Sequence, residues 1–515
     1  MKKIKNMSNS MNNIKIGVVI SYITQFSGIV ISLFYIPIML RMLGQEEYGL
    51  YALVQSIVAY LQMSEMGIGI TATRYNAKYI AIGDGNEQEG ANGMFNLLYL
   101  GIATFCTLVG ILVYWKIPNW YDHYSDESIS LIQVLFVFAM ANLVITLVFK
   151  IYNAIVIAYE KFIFLKLLML IVTVMGPVGM LCVLYMGYRS VGMLCVTTVF
   201  SLLTGLAQLF YCKRVLRIKF RYKNFPKALF GTIFSFTAFV FLNSIAHQLF
   251  SNSDKIVISM FLAEASIAVY AIVVQFQMYF FNFSNIISGF FLPRFTKSVA
   301  KTGKVNAKLM EEIVRTARIQ FFIASMIFGG FIAIGEAFIV RWVGDEYRMA
   351  YILIVFVLLV ELIGSPQSMF NSLMQALNLH KGRSIISLCF AVVKIFVVIA
   401  LVYKHGLMGC AIGYFIGYML RFIAYNIYYD KKGISMKYFW SKLIPLFCKM
   451  SVLLVALFFV FREIFIGYSI NSYITIAFSA FVYLILFCVV SWYIMMTDYE
   501  KDIVKRECSK LKIKK

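Results

Sequence analysis

The side chains most able to do chemistry in this chain are a few charged residues inside long apolar stretches. Asp254 and Lys255 interrupt one such stretch, and Lys394 lies near the middle of another. Glu65 and Glu361 lie within two more. Ionisable side chains are costly in hydrocarbon, and those within membrane spans usually face a protein interior or an aqueous path. These residues are therefore candidates for substrate binding or ion coupling.

Basic residues at the ends of apolar stretches add further cationic groups. Arg41 closes the first stretch, and Arg74 and Arg294 stand at the ends of the second and the eighth. Together with Lys255 they are candidates for binding an anionic group. The alternative for the three arginines is snorkelling, in which a long basic side chain extends from a span end to the headgroup region.

Glu361 and Lys394 lie at a similar depth in consecutive spans, about 14 Å from the same membrane face at about 1.5 Å of helix rise per residue. Two interpretations stay open: a structural ion pair, or a role with substrate or coupling ion. Glu65, beside Gly67 and Gly69, either binds a coupling proton or Na⁺ or faces cytoplasmic water. No other cofactor and no catalytic residue is expected. The nine cysteines contain no Cys-x-x-Cys pair and predict neither a metal site nor disulfides.

Membrane-spanning helices must position these residues. Of 515 residues, 61% are hydrophobic and only 14% charged, with a mean hydropathy of +0.81, whereas soluble domains have about 25% charged residues. A spanning helix needs about 20 mainly apolar residues, and these stretches are too long for barrel strands of about ten residues. The expected fold class is an all-α membrane protein with about fourteen spans: 16–40, 48–70, 94–115, 129–149, 162–185, 191–211, 230–262, 267–292, 319–340, 350–370, 385–403, 407–425, 443–461 and 473–495.

The basic residues predict the orientation, because Lys and Arg collect on the cytoplasmic side of membrane proteins. With the N-terminus inside, most of the 47 Lys and Arg residues fall in cytoplasmic segments. Both termini are therefore expected in the cytoplasm. The net charge of +23 is mainly a topology signal, because no soluble stretch is long enough to form a nucleic-acid-binding domain. Basic loops also suit contact with anionic lipids.

An internal repeat organises the spans. A shift of 219 positions aligns Leu43–Tyr51 with Leu262–Tyr270, which matches span one to span seven and span two to span eight. Copies separated by six helices share one orientation, the parallel arrangement known from transporters. We therefore expect a six-helix bundle over 1–212, a basic cytoplasmic linker over 213–227, a second six-helix bundle over 228–428, and two extra helices with a basic tail over 429–515.

An ordered set of short motifs runs through the first hundred residues: Lys15-Ile-Gly17, Tyr35-Ile-Pro37, Leu40-Arg-Met-Leu-Gly44, Glu47-Tyr-Gly-Leu-Tyr51, Gly67-Ile-Gly69 and Thr73-Arg-Tyr75. In order and spacing this set resembles the Wzx-type oligosaccharide-lipid flippases of the multidrug/oligosaccharidyl-lipid/polysaccharide exporter superfamily. No single motif is specific; the ordered set carries the resemblance.

This resemblance implies a V-shaped pair of bundles in the bacterial inner membrane. It also implies transport of an undecaprenyl-diphosphate-linked oligosaccharide from the cytoplasmic to the periplasmic leaflet, for a surface polysaccharide such as O-antigen. The anion expected at Arg41, Arg74, Lys255 and Arg294 is then the pyrophosphate. The partners are the lipid-linked oligosaccharide and membrane lipids. A polysaccharide polymerase is a further partner that no residue here specifies.

Two other classes of function compete with this interpretation. A cation-coupled multidrug exporter of the same superfamily would share the fold, but it should prefer carboxylates in its cavity, and the N-terminal bundle offers only Glu65. A membrane enzyme usually carries large outer loops with acidic or histidine catalytic groups. The longest outer loop here is 116–128, with Asp122, His123, Asp126 and Glu127 as its acidic and histidine residues. Its short length argues against an enzyme.

Overall fold

The computed structural model describes residues 2–65, 67–222, 227–282, 305–377, 379–467, 472–502 and 505. These residues are helical almost throughout, and no strand occurs among them. Large apolar side chains point outward, and Trp115, Phe396 and Ile474 are 76%, 68% and 80% exposed. Helices satisfy their own backbone hydrogen bonds and can present such side chains to lipid. The predicted all-α membrane fold is confirmed.

The described residues form fifteen α-helices. In chain order they are α1 (Lys2–Leu43), α2 (Gln45–Gln62), α3 (Ile68–Ile82), α4 (Gly85–Trp120), α5 (Asp126–Ala158), α6 (Phe162–Tyr185), α7 (Arg189–Phe210), α8 (Lys227–Phe261), α9 (Glu264–Asn282), α10 (Ala307–Val343), α11 (Arg348–Gly364), α12 (Ser368–Ala376), α13 (His380–Lys431), α14 (Met436–Gly467) and α15 (Tyr473–Val490).

Eleven helices in the described residues are long and apolar enough to cross a membrane. One of them, Lys381–Lys431, has 51 residues and bends at Gly406, where φ is 55° and ψ is −138°. Its two arms correspond to the eleventh and twelfth predicted spans. The second and seventh predicted spans fall on α2–α3 and on α8. Every predicted span therefore overlaps a helix, although the second is broken into two pieces.

Residue contacts divide the chain into two units, Met1–Ala268 and Val269–Lys515. The first has a core that includes Phe95, Tyr99 and Ile155, and the second has a core that includes Phe370, Leu373 and Phe439. Each core joins residues from several helices, so each unit is held by packing between helices. The division at 212, 227 and 428 that the repeat suggests stays a prediction.

The expected basic linker is described as far as Tyr222 and packs against the first unit. Leu216, Ile218 and Phe220 contact the core of that unit, while Arg217 and Lys219 are exposed. Apolar and basic residues alternate here, and the apolar ones at 216, 218 and 220 are those that pack inward. The described part of the linker therefore packs against the core of the first unit.

Candidate functional site

The first candidate site begins where the second predicted span is interrupted. A 3₁₀ turn over Met63–Glu65 follows α2, and α3 starts at Ile68. Gly67 has φ 71° and ψ 16°, a left-handed conformation that costs glycine little because it has no Cβ. The interruption places Glu65 at a bend in the chain.

Glu65 is held by two side chains from neighbouring helices. The Lys150 ammonium on α5 lies 3.1 Å from Glu65 Oε2, and the Tyr99 hydroxyl on α4 donates to Glu65 Oε1 at 3.3 Å. The side chains of Lys150 and Glu65 are 34% and 21% exposed. A side chain on Gly69 would begin 2.8 Å from Glu65 Oε1, so the small residue leaves room for the carboxylate. Glu65 is therefore part of an ion pair.

Lys150 also lines a cavity of about 730 Å³ between α5, α6 and α7. Along α7, Thr197, Ser201, Thr204 and Gln208 face the cavity, and their spacing of four, three and four residues puts them on one helix face. The volume is within the usual range of about 300–1,000 Å³ for small-molecule sites. Thr197 and Thr204 donate to backbone carbonyls of α7 itself, so their hydroxyl oxygens can still accept a hydrogen bond from a ligand.

The facing side of the cavity repeats this pattern. On α5, Thr146, Lys150 and Asn153 line the cavity at the same helical spacing. Ser201 donates to Asn142 Oδ1 at 2.9 Å, so hydrogen bonding connects α7 to α5 next to the cavity. The two helices thus present matching polar faces.

A second lysine, Lys166, enters the cavity from the first turns of α6. It lies four residues after the start of α6, and Lys150 lies eight residues before the end of α5. At about 1.5 Å per residue these positions are about 6 and 12 Å from the same end of the bundle. Basic residues predict that end to be cytoplasmic. Farther from it, Val172, Pro177 and Met180 make the lining more apolar.

A second cavity in the same unit has a different character. It has about 530 Å³ and lies between α4 and α5, where Gly110, Trp115, Phe136 and Met140 line it. Its lining carries no charged side chain among the described residues. Of these two cavities, the lysine-bearing one combines charge, hydrogen-bonding groups and volume.

Asp254 and Lys255 lie on α8, which packs against α2 and α3. Asp254 is 1% exposed, and Lys255 is partly exposed. Neighbouring residues on a helix project in different directions, so the two side chains differ in exposure. The structure thus buries Asp254 and leaves part of the Lys255 residue exposed.

Two of the three candidate arginines are exposed, and the third lies outside the described residues. Arg41 is exposed in the last turn of α1, and Arg74 is exposed on α3. Arg294 lies outside the described residues. Their expected contact with a substrate anion stays a prediction.

In the second unit, one tyrosine connects two of the predicted charged residues. Tyr414 donates to Glu361 Oε1 at 2.8 Å, and the Lys394 ammonium lies 5.1 Å from the centre of the Tyr414 ring. Gln277 also donates to Glu361, at 2.9 Å. Lys394 is fully buried. Glu361 therefore contacts the hydroxyl of Tyr414, and Lys394 lies near its ring.

Sequence reasoning did not single out Lys150, Lys166, Gln277 or Tyr414. Lys150 and Lys166 lie near span ends, where basic residues are ordinary topology markers. The polar spacing on α5 and α7 was the available signal for the cavity. In the described residues, no group of three or more His, Cys, Asp or Glu side chains could hold a metal ion.

Comparison with known proteins adds a family match and several matches of fold. A family model described as polysaccharide biosynthesis protein matches residues 14–299. No curated protein sequence matches the chain.

Among solved structures, the chain is similar to the lipid II flippase MurJ in an inward closed conformation, with a TM-score of 0.71 and 14% identity over 92% of this chain and 99% of that one. It is also similar to an inward-facing multidrug resistance MATE family transporter of the MOP superfamily, with a TM-score of 0.58 and 15% identity over 79% and 96% of the two chains. A third similar structure is the Vibrio cholerae MATE transporter VcmN in the bent form, with a TM-score of 0.52 and 13% identity over 85% of this chain and 99% of that one. These likenesses establish a shared fold.

Proposed function

Because the chain belongs to the polysaccharide biosynthesis protein family, we propose that it is an alternating-access transporter for a lipid-linked oligosaccharide. The family match agrees with the resemblance carried by the motifs of the first hundred residues. In this proposal the substrate is an undecaprenyl-diphosphate-linked oligosaccharide. The chain moves it from the cytoplasmic to the periplasmic leaflet of a bacterial inner membrane, with both of its own termini in the cytoplasm. The product serves the synthesis of a surface polysaccharide such as O-antigen, upstream of a polysaccharide polymerase.

The observation that carries this proposal is the polar, lysine-bearing cavity between α5, α6 and α7. Lys150 and Lys166 supply positive charge for a diphosphate, and Ser201, Thr204 and Gln208 supply hydrogen-bonding groups for sugar hydroxyls. The apolar part of the lining, which includes Leu168, Val172 and Met180, suits a hydrocarbon chain. Charge, hydroxyl partners and apolar surface are the three features that such a substrate requires.

The other cationic residues have roles in the same proposal. Lys255 and Arg41 contact the diphosphate during its passage, and Arg74 and Arg294 stand near the entrance. Glu65, Asp254, Glu361 and Lys394 are the residues through which a proton or Na⁺ would couple to transport. The ionisable groups within spans support this assignment because their insertion into a membrane is costly.

A multidrug exporter of the same superfamily is the competing function, and several similar structures are MATE transporters. An exporter of organic cations needs carboxylates where its substrate binds. The lining of the polar cavity, over the described residues, contains two lysines and no carboxylate. The sign of the charge therefore favours an anionic substrate.

A reconstituted flipping assay tests the proposal. The purified protein is placed in liposomes with a fluorescent undecaprenyl-diphosphate oligosaccharide, and wild type is compared with Lys255→Ala and Lys255→Arg. We expect protein-dependent movement that is lost in Lys255→Ala and partly kept in Lys255→Arg. Movement that neither change alters would keep the function and remove Lys255 from the site. No movement with several sugar-lipids, together with gradient-driven export of organic cations, would overturn the proposal.

A further inference from the structure

We propose that the cavity between α5, α6 and α7 is a phosphate- or diphosphate-binding site in which Glu65 acts as a built-in competitor for Lys150. This inference rests on the proposed function only in taking the diphosphate of a lipid-linked sugar as the natural ligand. The juxtaposition of a cavity-lining ammonium with a carboxylate outside the lining carries it.

Lys150 has two sides with different chemistry. On one side its ammonium lies 3.1 Å from Glu65, which is not part of the cavity lining. On the other side Lys150 lines the cavity, as does Lys166 from α6. Lysine ammonium groups bind phosphates as point charges. A phosphate in the cavity can therefore contact two lysines: Lys150, which is paired with Glu65, and Lys166.

Exchange of partners at Lys150 keeps its charge compensated. When a phosphate oxygen takes the place of Glu65, the ammonium gives up one anion and gains another. Glu65 keeps the hydrogen bond from Tyr99 and remains partly exposed. The exchange thus spares Lys150 the cost of an uncompensated charge, while Glu65 has the Tyr99 hydroxyl and solvent in place of its counter-ion.

The competing carboxylate weakens anion binding, and this weakening suits a transporter. A transporter must release its ligand on the other side of the membrane, so the ligand must bind weakly enough to dissociate there. Glu65 supplies a tethered anion that returns to Lys150 when the phosphate departs. Loss of the carboxylate should therefore tighten binding, whereas loss of either lysine should weaken it.

The experiment measures equilibrium binding to the purified full chain in nanodiscs. The probes are inorganic pyrophosphate, undecaprenyl diphosphate and phosphatidylglycerol, which separate a free diphosphate, a prenyl-linked diphosphate and a phospholipid headgroup as sources of the same chemistry. Lys150→Gln and Lys166→Gln should each weaken binding of the preferred probe by about tenfold or more, the scale of one lost charge-assisted hydrogen bond. Glu65→Gln should tighten binding several-fold.

Two controls keep the result interpretable. Lys161→Gln changes an exposed lysine at the start of α6 that does not line the cavity, and it should leave affinity unchanged. The double change Glu65→Gln with Lys150→Gln removes both partners of the ion pair, so it tests Lys150 without leaving one charge uncompensated. Its affinity should fall well below that of Glu65→Gln alone.

The inference is supported if Glu65→Gln tightens binding and Lys150→Gln weakens it for any of the three probes. If Glu65→Gln weakens binding or leaves it unchanged, Glu65 is no competitor and the inference falls. If a chain flips sugar-lipids and no change at Lys150 or Lys166 affects binding or flipping, this site falls and the proposed function stands. If no sugar-lipid is flipped but the binding pattern holds, the proposed function falls and the site stands.

Discussion

The backbone carbonyl of Glu264 occupies the place where a side chain on Gly49 would begin. A Cβ built on Gly49 would lie 2.1 Å from that oxygen and 3.4 Å from the backbone nitrogen of Ala268. The backbones of α2 and of the start of α9 are therefore in close contact, with no room for a side chain at position 49. Gly49 and Ala268 are also the positions that the 219-residue shift aligns. The pairing found in the sequence is thus a direct contact within the first unit.

We expect Gly49→Ala to destabilise the protein by roughly 1–3 kcal/mol, the usual cost of overpacking, because a backbone carbonyl cannot move aside as a side chain can. Gly101→Ala on α4 is the matched control, since nothing lies within 4 Å of its added Cβ. Alanine is a better helix former than glycine, so this control should be neutral or slightly stabilising. Thermal unfolding in detergent measures both. Equal changes in the two variants would contradict the contact.

Glu47 should stabilise the junction between α2 and α7. Its carboxylate is largely buried, accepts from the Ser190 backbone N–H at 2.9 Å and from the Ser190 hydroxyl, and pairs with Arg189. We expect Glu47→Ala to cost about 1–3 kcal/mol, because buried donors lose their acceptor.

The neighbouring Glu46 is exposed, which makes Glu46→Ala the control for the loss of one negative charge. The melting temperature should fall clearly for Glu47→Ala and hardly for Glu46→Ala. A similar fall for both would mean that net charge, rather than the buried contacts of Glu47, determines the effect.

The segment after α15 should depend on one ion pair. Arg318 on α10 contacts Glu500 at 2.6 Å, and their side chains are only 15% and 5% exposed. Glu500 also accepts from the Thr497 backbone N–H at 2.7 Å. We expect Glu500→Gln to cost about 3–5 kcal/mol, since it leaves Arg318 buried without a counter-ion. Limited proteolysis should then cut the C-terminal segment faster.

Glu311→Gln provides the comparison for this pair. It breaks the ion pair of Glu311 with Arg315 on the same helix, where the two side chains are 53% and 44% exposed. Exposed pairs contribute little to stability, so proteolysis should stay near the wild-type rate. Protection of the segment in Glu500→Gln as good as in wild type would show that other contacts hold it.

Tyr414 should contribute through its hydroxyl and its ring separately. Tyr414→Phe removes the donor to Glu361 and keeps the ring near Lys394. We expect it to cost about 1 kcal/mol, the net worth of one hydrogen bond. Tyr414→Leu removes both contacts and should cost more. Melting temperatures that rank the two variants in the opposite order would contradict the proposed division.

Much of the fold could be predicted because it depends on local composition. A membrane helix satisfies its own backbone, so length and apolarity alone identify a span. The bend at Gly406 and the break at Gly67 occur at glycines, yet other glycines lie within regular helix. Whether a glycine bends a helix depends on what packs against it, and this is not visible in the neighbouring sequence.

The candidate site was only partly predictable for a related reason. Glu65, Glu361 and Lys394 stand out in the sequence because placing a charged side chain within a membrane span costs free energy, whatever the tertiary structure. Their partners could not be found in that way. Lys150 looks like an ordinary residue near a span end until the packing of α5 against α2 and α3 brings it to Glu65.

The amino-acid sequence by itself determined the membrane class, the all-α fold and the residues whose burial demands an explanation. Each of these follows from the free energy of moving one segment or one side chain from water to lipid. The tertiary structure decided the partners: Lys150 for Glu65, Tyr414 between Glu361 and Lys394, and two lysines in one cavity. Partners come from helices distant in the sequence, and only the packing of those helices sets which charges come within a few ångströms of each other.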